Sequence, residues 1–231
     1  MPETLSPSVG WGVVHLFCKL TDGVDPDAIE TAVKEGTGDG QQIVVFSVFG
    51  HKADLGIMAL GEDWVRLRHL QADLQRAGLD VVDSYLSLTE ISEYAQEMPE
   101  EQRDIRLHPR LPPVGKRAVC FYPMSKRRGE SDNWYGLDYD ARKALMMDHG
   151  KSGRRFAGRI LQVITGSTGL DDYEWGVTLF GEHPDDLKET VYTMRFDEAS
   201  TKYAEFGPFY AGIVDDITEV LSLVGARSPA P

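Results

Sequence analysis

The sequence predicts an α+β fold made of two consecutive βαββαβ repeats, on three observations. Short apolar runs show the period-two alternation of strands, and they are interleaved with segments whose apolar residues recur at helical spacing. Glycines and prolines separate these segments. The order of elements in the first half then recurs in the second. The 231 residues, of which 42% are hydrophobic and 26% charged, suffice for a core of this size.

The first repeat is predicted for residues 1–110. A helix opens at Asp25 and runs to about Glu35. A second helix opens at Gly61 and stops at Gly78, and its inward stripe is Leu67, Leu70 and Leu74. The strand candidates are residues 11–20, 42–49, 53–60 and 80–88. This order of strands and helices is that of the ferredoxin-like motif.

The second repeat is predicted for residues 111–231, after a polar connector at 89–115 that reads as loop. Its strand candidates are residues 118–124, 159–165, 173–180 and 206–213, and its helices are 138–149, one from Pro184, and a last one at 215–224. The tail from Gly225 is expected to be disordered. Because each sheet has an apolar face that its helices alone do not explain, we expect the halves to join face to face or as a barrel, in one structural unit.

Composition narrows the class of protein. No apolar run approaches the roughly 20 residues of a membrane span, and the first ten residues lack a charged-then-apolar signal pattern, so a cytoplasmic location is expected. Cys18 and Cys120 lie in apolar runs without the paired spacing of a zinc or redox motif. We expect both to be buried free thiols.

Charge is unevenly distributed along the chain. The net charge of −13 argues against non-specific nucleic-acid binding, yet residues 116–159 hold 11 Lys/Arg against 5 Asp/Glu. A basic stretch on an acidic protein suits a small polyanion. The alternative is that Lys126, Arg127 and Arg128 merely keep a loop solvated.

Two segments of the second repeat carry chemistry-bearing side chains. Period-two geometry puts Cys120, Tyr122, Met124 and Lys126 on one face of the strand that starts at residue 118. Helical spacing aligns Ala141, Leu145 and His149 in one stripe of a helix predicted to end against Gly150. A tyrosine on a strand is more often packing than catalyst, and a histidine in a last helical turn often complements the helix dipole.

A long loop, residues 125–136, joins these two segments. It is charged and contains glycine, yet it also carries Trp134 and Tyr135. Loops of this length inside compact domains tend to be functional lids or disordered. The tryptophan favours a lid that packs on an apolar surface.

Several motifs in order give the second half a family resemblance. They are Tyr122-Pro-Met-Ser-Lys126, Asp132-Asn-Trp-Tyr135, Asp148-His-Gly150, Arg159-Ile-Leu-Gln162, Asp172-Tyr-Glu-Trp-Gly176, Met194-Arg-Phe-Asp-Glu-Ala-Ser200 and Phe206-Gly-Pro-Phe209. The first half adds only Ser84-Tyr-Leu-Ser87. Together they resemble the coproheme decarboxylase branch of the chlorite dismutase-like haem proteins, most closely its Firmicutes-type members. The resemblance implies a dimeric α+β barrel assembled into a homopentamer.

The resemblance also implies a reaction and its partners. It implies hydrogen-peroxide-dependent oxidative decarboxylation of two propionates of iron coproporphyrin III (coproheme) to give haem b, as the last step of a bacterial haem pathway. Coproheme would be both substrate and redox cofactor, and a transient contact with the iron-inserting chelatase is expected. Two alternatives stay open: a chlorite dismutase or general haem peroxidase on the same fold, and a non-catalytic haem carrier or sensor.

Roles for individual residues follow from the same resemblance. It implies His149 as the iron ligand, Tyr122 as the residue oxidised to a radical, and Lys126, Arg195 and Ser200 as contacts of substrate carboxylates. An arginine fork and a hydroxyl suit carboxylates. His108 is either a distal base or an exposed loop histidine. The remaining implied residues are Met124, Trp134 and Gln162, which line the haem pocket, and Tyr85, which binds a propionate.

Overall fold

The computed structural model describes residues 3–226, and within them a single sheet of nine strands is flanked by seven helices. The strands are β1 (Gly12–Leu20), β2 (Gln42–Val48), β3 (Leu55–Gly61), β4 (Leu79–Thr89), β5 (Ala118–Lys126), β6 (Ile160–Gly166), β7 (Trp175–Gly181), β8 (Ala204–Phe206) and β9 (Tyr210–Val214). The helices are α1 (Pro26–Gly38), α2 (Trp64–Arg76), α3 (Glu100–Leu107), α4 (Tyr139–Arg154), α5 (Pro184–Met194), α6 (Glu198–Tyr203) and α7 (Ile217–Leu223).

The sheet closes on itself. Its strand order is β7-β6-β4-β1-β3-β2-β9-β5-β8, and β5 also pairs with β7. All pairings between the strands are antiparallel. The order β4-β1-β3-β2 of the first half recurs in the second half as β9-β5-β7-β6, so both halves have the ferredoxin-like arrangement. The pairs β2–β9 and β4–β6 join the halves, which confirms the α+β fold class and its closure.

Three clusters of buried apolar side chains pack against the sheet of the described residues. One cluster lies between the first-half strands and helices α1, α2 and α7. A second lies inside the closed sheet and takes side chains from both halves. The third lies on the outer face of the second half, beneath α5. Alternation along β5 separates the last two, since Val119 and Phe121 point inward whereas Cys120 and Tyr122 point outward.

Five of the seven helices begin at an aspartate whose side chain accepts a backbone N–H. Asp138 Oδ1 accepts the Ala141 N–H at 2.8 Å at the start of α4, and Asp197 Oδ1 accepts the Ser200 N–H at 2.9 Å at the start of α6. Such caps satisfy backbone donors that have no partner within the helix. The two helices that border the second half's outer face are thereby fixed at their N-termini.

Three predicted boundaries are wrong. Helix α4 does not end against Gly150 but continues to Arg154, because a glycine costs only about 1 kcal/mol inside a helix and the basic last turn complements the helix dipole. The connector 89–115, predicted as loop, contains α3. The predicted last strand, 206–213, is interrupted at residues 207–209 and belongs to β8 and β9.

The described residues end at a buried position near the C-terminus. Ala226 is buried against the first cluster, whereas the rest of the tail predicted to be disordered, residues 227–231, lies outside the described residues.

Between residues 3 and 226, no helix has the length and apolar character needed to cross a membrane. Cys18 and Cys120 are buried free thiols, as predicted.

Candidate functional site

The outer face of β5, β7 and β6 forms a platform of three rows. The register aligns Tyr122 with Val177 and Ile164 in the middle row. Side chains directly opposite one another in an antiparallel pair share a face, so each row points the same way. The flanking rows are Cys120, Leu179 and Gln162 on one side, and Met124, Trp175 and Gly166 on the other.

This platform is much less covered than the equivalent face of the first half. Among the described residues, nineteen buried hydrophobic side chains form the cluster under α1, α2 and α7, against six in the cluster under α5. Ile164, in the middle row, is 47% exposed. Helix α4 has no buried residue and packs mainly on α5 and α6. The open part of the platform therefore lies along its β6 edge, at Ile164 and Gln162, whereas Val177 and Leu179 beside it are buried.

Tyr122 lies in the platform with a hydroxyl that no protein group satisfies. The residue is only 7% exposed, its ring stacks on Phe209 with centroids 4.6 Å apart, and it meets Phe206 edge-on at 5.7 Å. Burial raises the pKa of the phenol well above its usual value, so the hydroxyl keeps its proton at neutral pH. Among the described residues the hydroxyl has no hydrogen-bond partner, and it is not one of the fully buried polar atoms that lack a partner, so its oxygen is open to solvent.

His149 presents one nitrogen to a carboxylate, and its other nitrogen has no partner among the described residues. Its Nδ1 is 2.9 Å from Asp197 Oδ2, in the tautomer that donates a proton to the carboxylate. Desolvation lowers the pKa of the imidazole, although the carboxylate opposes this, so the ring is neutral at pH 7. Nε2 therefore carries a lone pair that can bind a metal, while Asp197 fixes the ring's orientation.

Lys126 is enclosed beside this pair. Its ammonium lies 4.2 Å from the centre of the Trp134 ring and 3.4 Å from the Ala199 carbonyl oxygen. Burial lowers the pKa of the ammonium to about 8, and the charges of Asp197 and Glu174 partly offset this. The buried Lys126 thus contributes positive charge near Asp197.

A buried carboxylate holds the long loop after β5 in place. Glu174 accepts the Tyr135 hydroxyl at 2.7 Å through Oε1 and the Lys126 backbone N–H at 2.7 Å through Oε2. The Glu174 N–H in turn bonds the Met124 carbonyl oxygen. The loop therefore closes over Lys126, and Trp134 packs edge-on against Tyr203 at 5.5 Å. The predicted packing of Trp134 on an apolar surface is confirmed.

Three further predicted residues border the platform. Arg195 caps the C-terminal end of α5, and its guanidinium lies 4.9 Å from the Phe206 ring centre without an acidic partner among the described residues. Arg195 and Tyr122 both contact the Phe206 ring. Ser200 lies in the first turn of α6, and Gln162 is exposed at the platform's outer row.

Two predicted residues lie away from the platform. Tyr85 is on the inner face of the sheet, where its ring packs on Phe121 and its hydroxyl donates to the Tyr173 carbonyl oxygen at 3.1 Å. His108 follows α3, with Nδ1 2.6 Å from Asp104 Oδ1 and its ring edge-on to Trp11 at 4.9 Å. Neither has a contact with a platform side chain among the described residues.

Sequence reasoning missed Asp197, Glu174 and Trp175. The pattern Asp197-Glu-Ala-Ser200 is a helix-capping signal and could have revealed the short helix α6. No sequence signal links Glu174 to the loop, because their contact depends on tertiary register. Trp175 shares the row of Met124, and its indole N–H donates to Glu90.

Comparisons with known proteins agree with this fold. A family model described as chlorite dismutase matches residues 26–214. A putative heme-binding protein of Natronomonas pharaonis is 38% identical over 98% of this chain. The alignment covers 43% of that relative, so this chain spans less than half of the relative's length.

Solved structures extend the likeness. A heme-binding protein from Thermus thermophilus superposes with a TM-score of 0.84 at 36% identity, and the match covers 96% of this chain and 98% of the other. A mutant chlorite dismutase from Candidatus Nitrospira defluvii superposes with a TM-score of 0.74 over 96% and 98% of the two chains. At 17% identity, the second likeness concerns the fold alone.

Proposed function

This chain belongs to the chlorite dismutase family, and from that premise we propose that it binds an iron porphyrin on its platform and decarboxylates it. The proposed reaction is the hydrogen-peroxide-dependent conversion of two propionates of coproheme to vinyl groups, giving haem b. Two relatives described as heme-binding support the binding part. The motifs Tyr122-Pro-Met-Ser-Lys126 and Asp148-His-Gly150 support the choice of reaction.

The observation that carries the proposal is the hydroxyl of the buried Tyr122, which lacks a hydrogen-bond partner among the described residues. The ring is buried while the hydroxyl oxygen is open to solvent, so a ligand on the platform can reach it. A substrate carboxylate would supply the missing acceptor. A haem carrier would have no need of this hydroxyl.

The residues around the platform fit an iron porphyrin. His149 Nε2 is free for iron while Nδ1 is held by Asp197. Ile164, which is exposed on β6, offers apolar contact to a macrocycle. The Arg195 guanidinium, which has no acidic partner among the described residues, suits a propionate. The proposed arrangement holds iron at the α4 side and propionates toward Tyr122.

When bound, the iron porphyrin would supply oxidising power from hydrogen peroxide. Tyr122 would then lose the hydrogen atom of its hydroxyl and regain one from the propionate side chain held beside it. For each propionate, one hydrogen peroxide is consumed, and the products are a vinyl group, one carbon dioxide and two waters. Phe206 and Phe209 shield the Tyr122 ring from solvent, which protects a phenoxyl radical from side reactions.

Lys126 and Asp197 set the charge on the iron side of the proposed site. Asp197 accepts the Nδ1 proton of His149 and so strengthens Nε2 as a ligand. The Lys126 ammonium lies near Asp197 and adds positive charge to this side of the site. A direct contact of Lys126 with a propionate remains a prediction, as do the implied roles of Ser200, Gln162, Tyr85 and His108.

The test adds hydrogen peroxide to the protein loaded with coproheme and follows porphyrin mass. We expect the wild type to yield haem b through a three-propionate intermediate. Tyr122→Phe should bind coproheme with an unchanged absorption spectrum but leave the porphyrin mass unchanged. Tyr210→Phe is the matched control, because it removes a hydroxyl from a buried tyrosine on the inner face of the same sheet.

Three outcomes would contradict the proposal. Haem b formed by Tyr122→Phe at a rate comparable to the wild type would remove the radical role. Wild-type protein that consumes chlorite and leaves coproheme intact would favour a chlorite dismutase. Wild-type protein that binds haem but transforms neither substrate would favour the heme-binding function named for its relatives.

A further inference from the structure

We propose that Glu90 sets the in-plane orientation of the porphyrin on the platform, because it repels carboxylates from the β6 end while Arg195 attracts them at the opposite end. The inference rests on the proposed function, from which it takes only the binding of an iron porphyrin. It gives a role to an acidic residue that the proposed decarboxylation does not use.

Glu90 lies on the platform, although it comes from the segment that follows β4. Its Oε1 accepts the indole N–H of Trp175 at 3.2 Å. Its Oε2 occupies the space that a Cβ on Gly166 would fill. Gly166 is two residues from the exposed Ile164 on β6, so both positions point to the outer face. The carboxylate therefore lies at the end of the open β6 edge, where only a glycine beneath it leaves enough space.

One row of the platform runs between Arg195 and Glu90. It takes one position from each of the neighbouring strands β8, β5, β7 and β6, in the order Phe206, Met124, Trp175 and Gly166. The Arg195 guanidinium lies 4.9 Å from the ring centre of the first of these residues, and the Glu90 carboxylate lies over the last. Three strand spacings, or about 14 Å, separate the two ends of the row.

The charges at both ends are unpaired. Neither Arg195 nor Glu90 forms an ion pair within residues 3–226, and the donor to the Glu90 carboxylate is a neutral indole. Glu93, three residues further along the same segment, is by contrast paired with Arg142 at 3.6 Å. Unpaired charges act on a ligand that lies between them, and a like charge beside them is repelled. The row therefore favours a flat ligand with its carboxylates at Arg195 and an uncharged edge at Glu90.

The two porphyrins of the proposed reaction differ in how they meet this requirement. Haem b carries both propionates on one side of the macrocycle, so it can turn them toward Arg195 and present its vinyl side to Glu90. Coproheme carries four propionates that are spread over both sides, so it must bring at least one of them toward Glu90. The Glu90 charge should thus weaken the binding of coproheme and leave haem b almost unaffected.

Absorption titrations of the full chain with coproheme and with haem b, at low ionic strength, test this difference. Glu90→Gln removes the charge and keeps an oxygen that accepts the Trp175 N–H. We expect this variant to bind coproheme about five-fold more tightly than the wild type, whereas its affinity for haem b should change less than about two-fold. The gain should disappear in about 1 M salt, where the Debye length falls to about 3 Å.

Two further variants separate position from net charge. Glu97→Gln removes the same charge from an exposed residue of the same segment, which has no contact with a platform side chain among the described residues. It should leave both dissociation constants unchanged. Gly166→Ala keeps the charge but fills the space of the Glu90 carboxylate, and the displaced carboxylate should raise the ratio of coproheme affinity to haem b affinity. Thermal unfolding verifies that each variant folds.

The outcomes separate this inference from the proposed function. Equal changes for both porphyrins in Glu90→Gln would overturn the inference, and so would a matching gain in Glu97→Gln or an unchanged ratio in Gly166→Ala. If the ratio shifts as expected but the wild type forms no haem b with hydrogen peroxide, the proposed reaction is wrong and the role of Glu90 stands. If the wild type forms haem b and Glu90→Gln leaves the ratio unchanged, this inference alone is wrong.

Discussion

The Asp197 side chain determines which ring nitrogen of His149 is available to a metal. Asp197 uses Oδ2 for the imidazole and Oδ1 for the N-terminus of α6, so one carboxylate fixes the ring and the helix beside it. A carboxylate behind a ligating histidine fixes its tautomer and raises its basicity. The free Nε2 is therefore a consequence of a capping aspartate.

His149→Ala should abolish the five-coordinate haem spectrum, since no imidazole would remain on this part of α4. Asp197→Asn should keep haem bound but lower its affinity by about 10- to 100-fold and weaken the iron–imidazole vibration, because an amide is a poorer acceptor than a carboxylate. Asparagine is an equally good helix cap, so α6 is preserved as an internal control. Absorption and resonance Raman spectra check both changes, and an unchanged spectrum in His149→Ala would rule the ligand assignment out.

The sequence identified some of these residues and missed others for a physical reason. Period-two spacing located the Tyr122 face, and helical spacing located His149, because both patterns are local. Asp197 was missed because its partner is 48 residues away. Tyr85, implied only by resemblance, lies on the inner face of β4. Local periodicity marks one face of β4 as buried but does not show whether that face lines the closed interior or packs under helices.

The loop after β5 covers the charged Lys126 side chain. Glu174 fixes both the loop, through the Tyr135 hydroxyl, and the end of β5, through the Lys126 N–H. The sequence predicted the loop's apolar packing from Trp134 but did not reveal that Lys126 would lie beneath it. Likewise, α4 was predicted to stop at Gly150, although packing on α5 and α6 continues it to Arg154. Tertiary contacts override local stop signals.

Burial of Lys126 should appear in the pH dependence of stability. Its pKa is about 8 in the folded protein and near 10.5 when unfolded, so between these values the unfolded state binds more protons. The free energy of unfolding contributed by this group should rise with pH across that window, by about 3 kcal/mol in total. Urea unfolding of the wild type and of Lys126→Met, measured from pH 7 to 9.5, checks the larger part of this rise. The variant should not show this rise in the free energy of unfolding. Parallel pH profiles would contradict the expected burial cost.

At the scale of the whole molecule, the two halves share one strand order but differ in the number of buried side chains on their outer faces. The first half is closed by three helices over its cluster, whereas α4 stands off the platform without a buried residue. The sequence predicted the repeat because each half obeys its own pattern. It left open whether the halves join face to face or as a barrel, because the joining pairs β2–β9 and β4–β6 are only three and two residues long.

The interior of the closed sheet predicts that neither half is stable alone. Phe17 of the first half stacks on Tyr210 of the second with ring centroids 3.6 Å apart, and Tyr85 packs on Phe121. Separating residues 1–110 from 111–231 would expose this shared cluster and leave β2, β4, β6 and β9 as unpaired edges. Each fragment should bind a hydrophobic dye and unfold without cooperativity, and mixing the two should restore a cooperative transition. If residues 111–231 alone unfolded cooperatively and gave the full chain's haem spectrum, this prediction would be wrong. The second half would then be an independent domain.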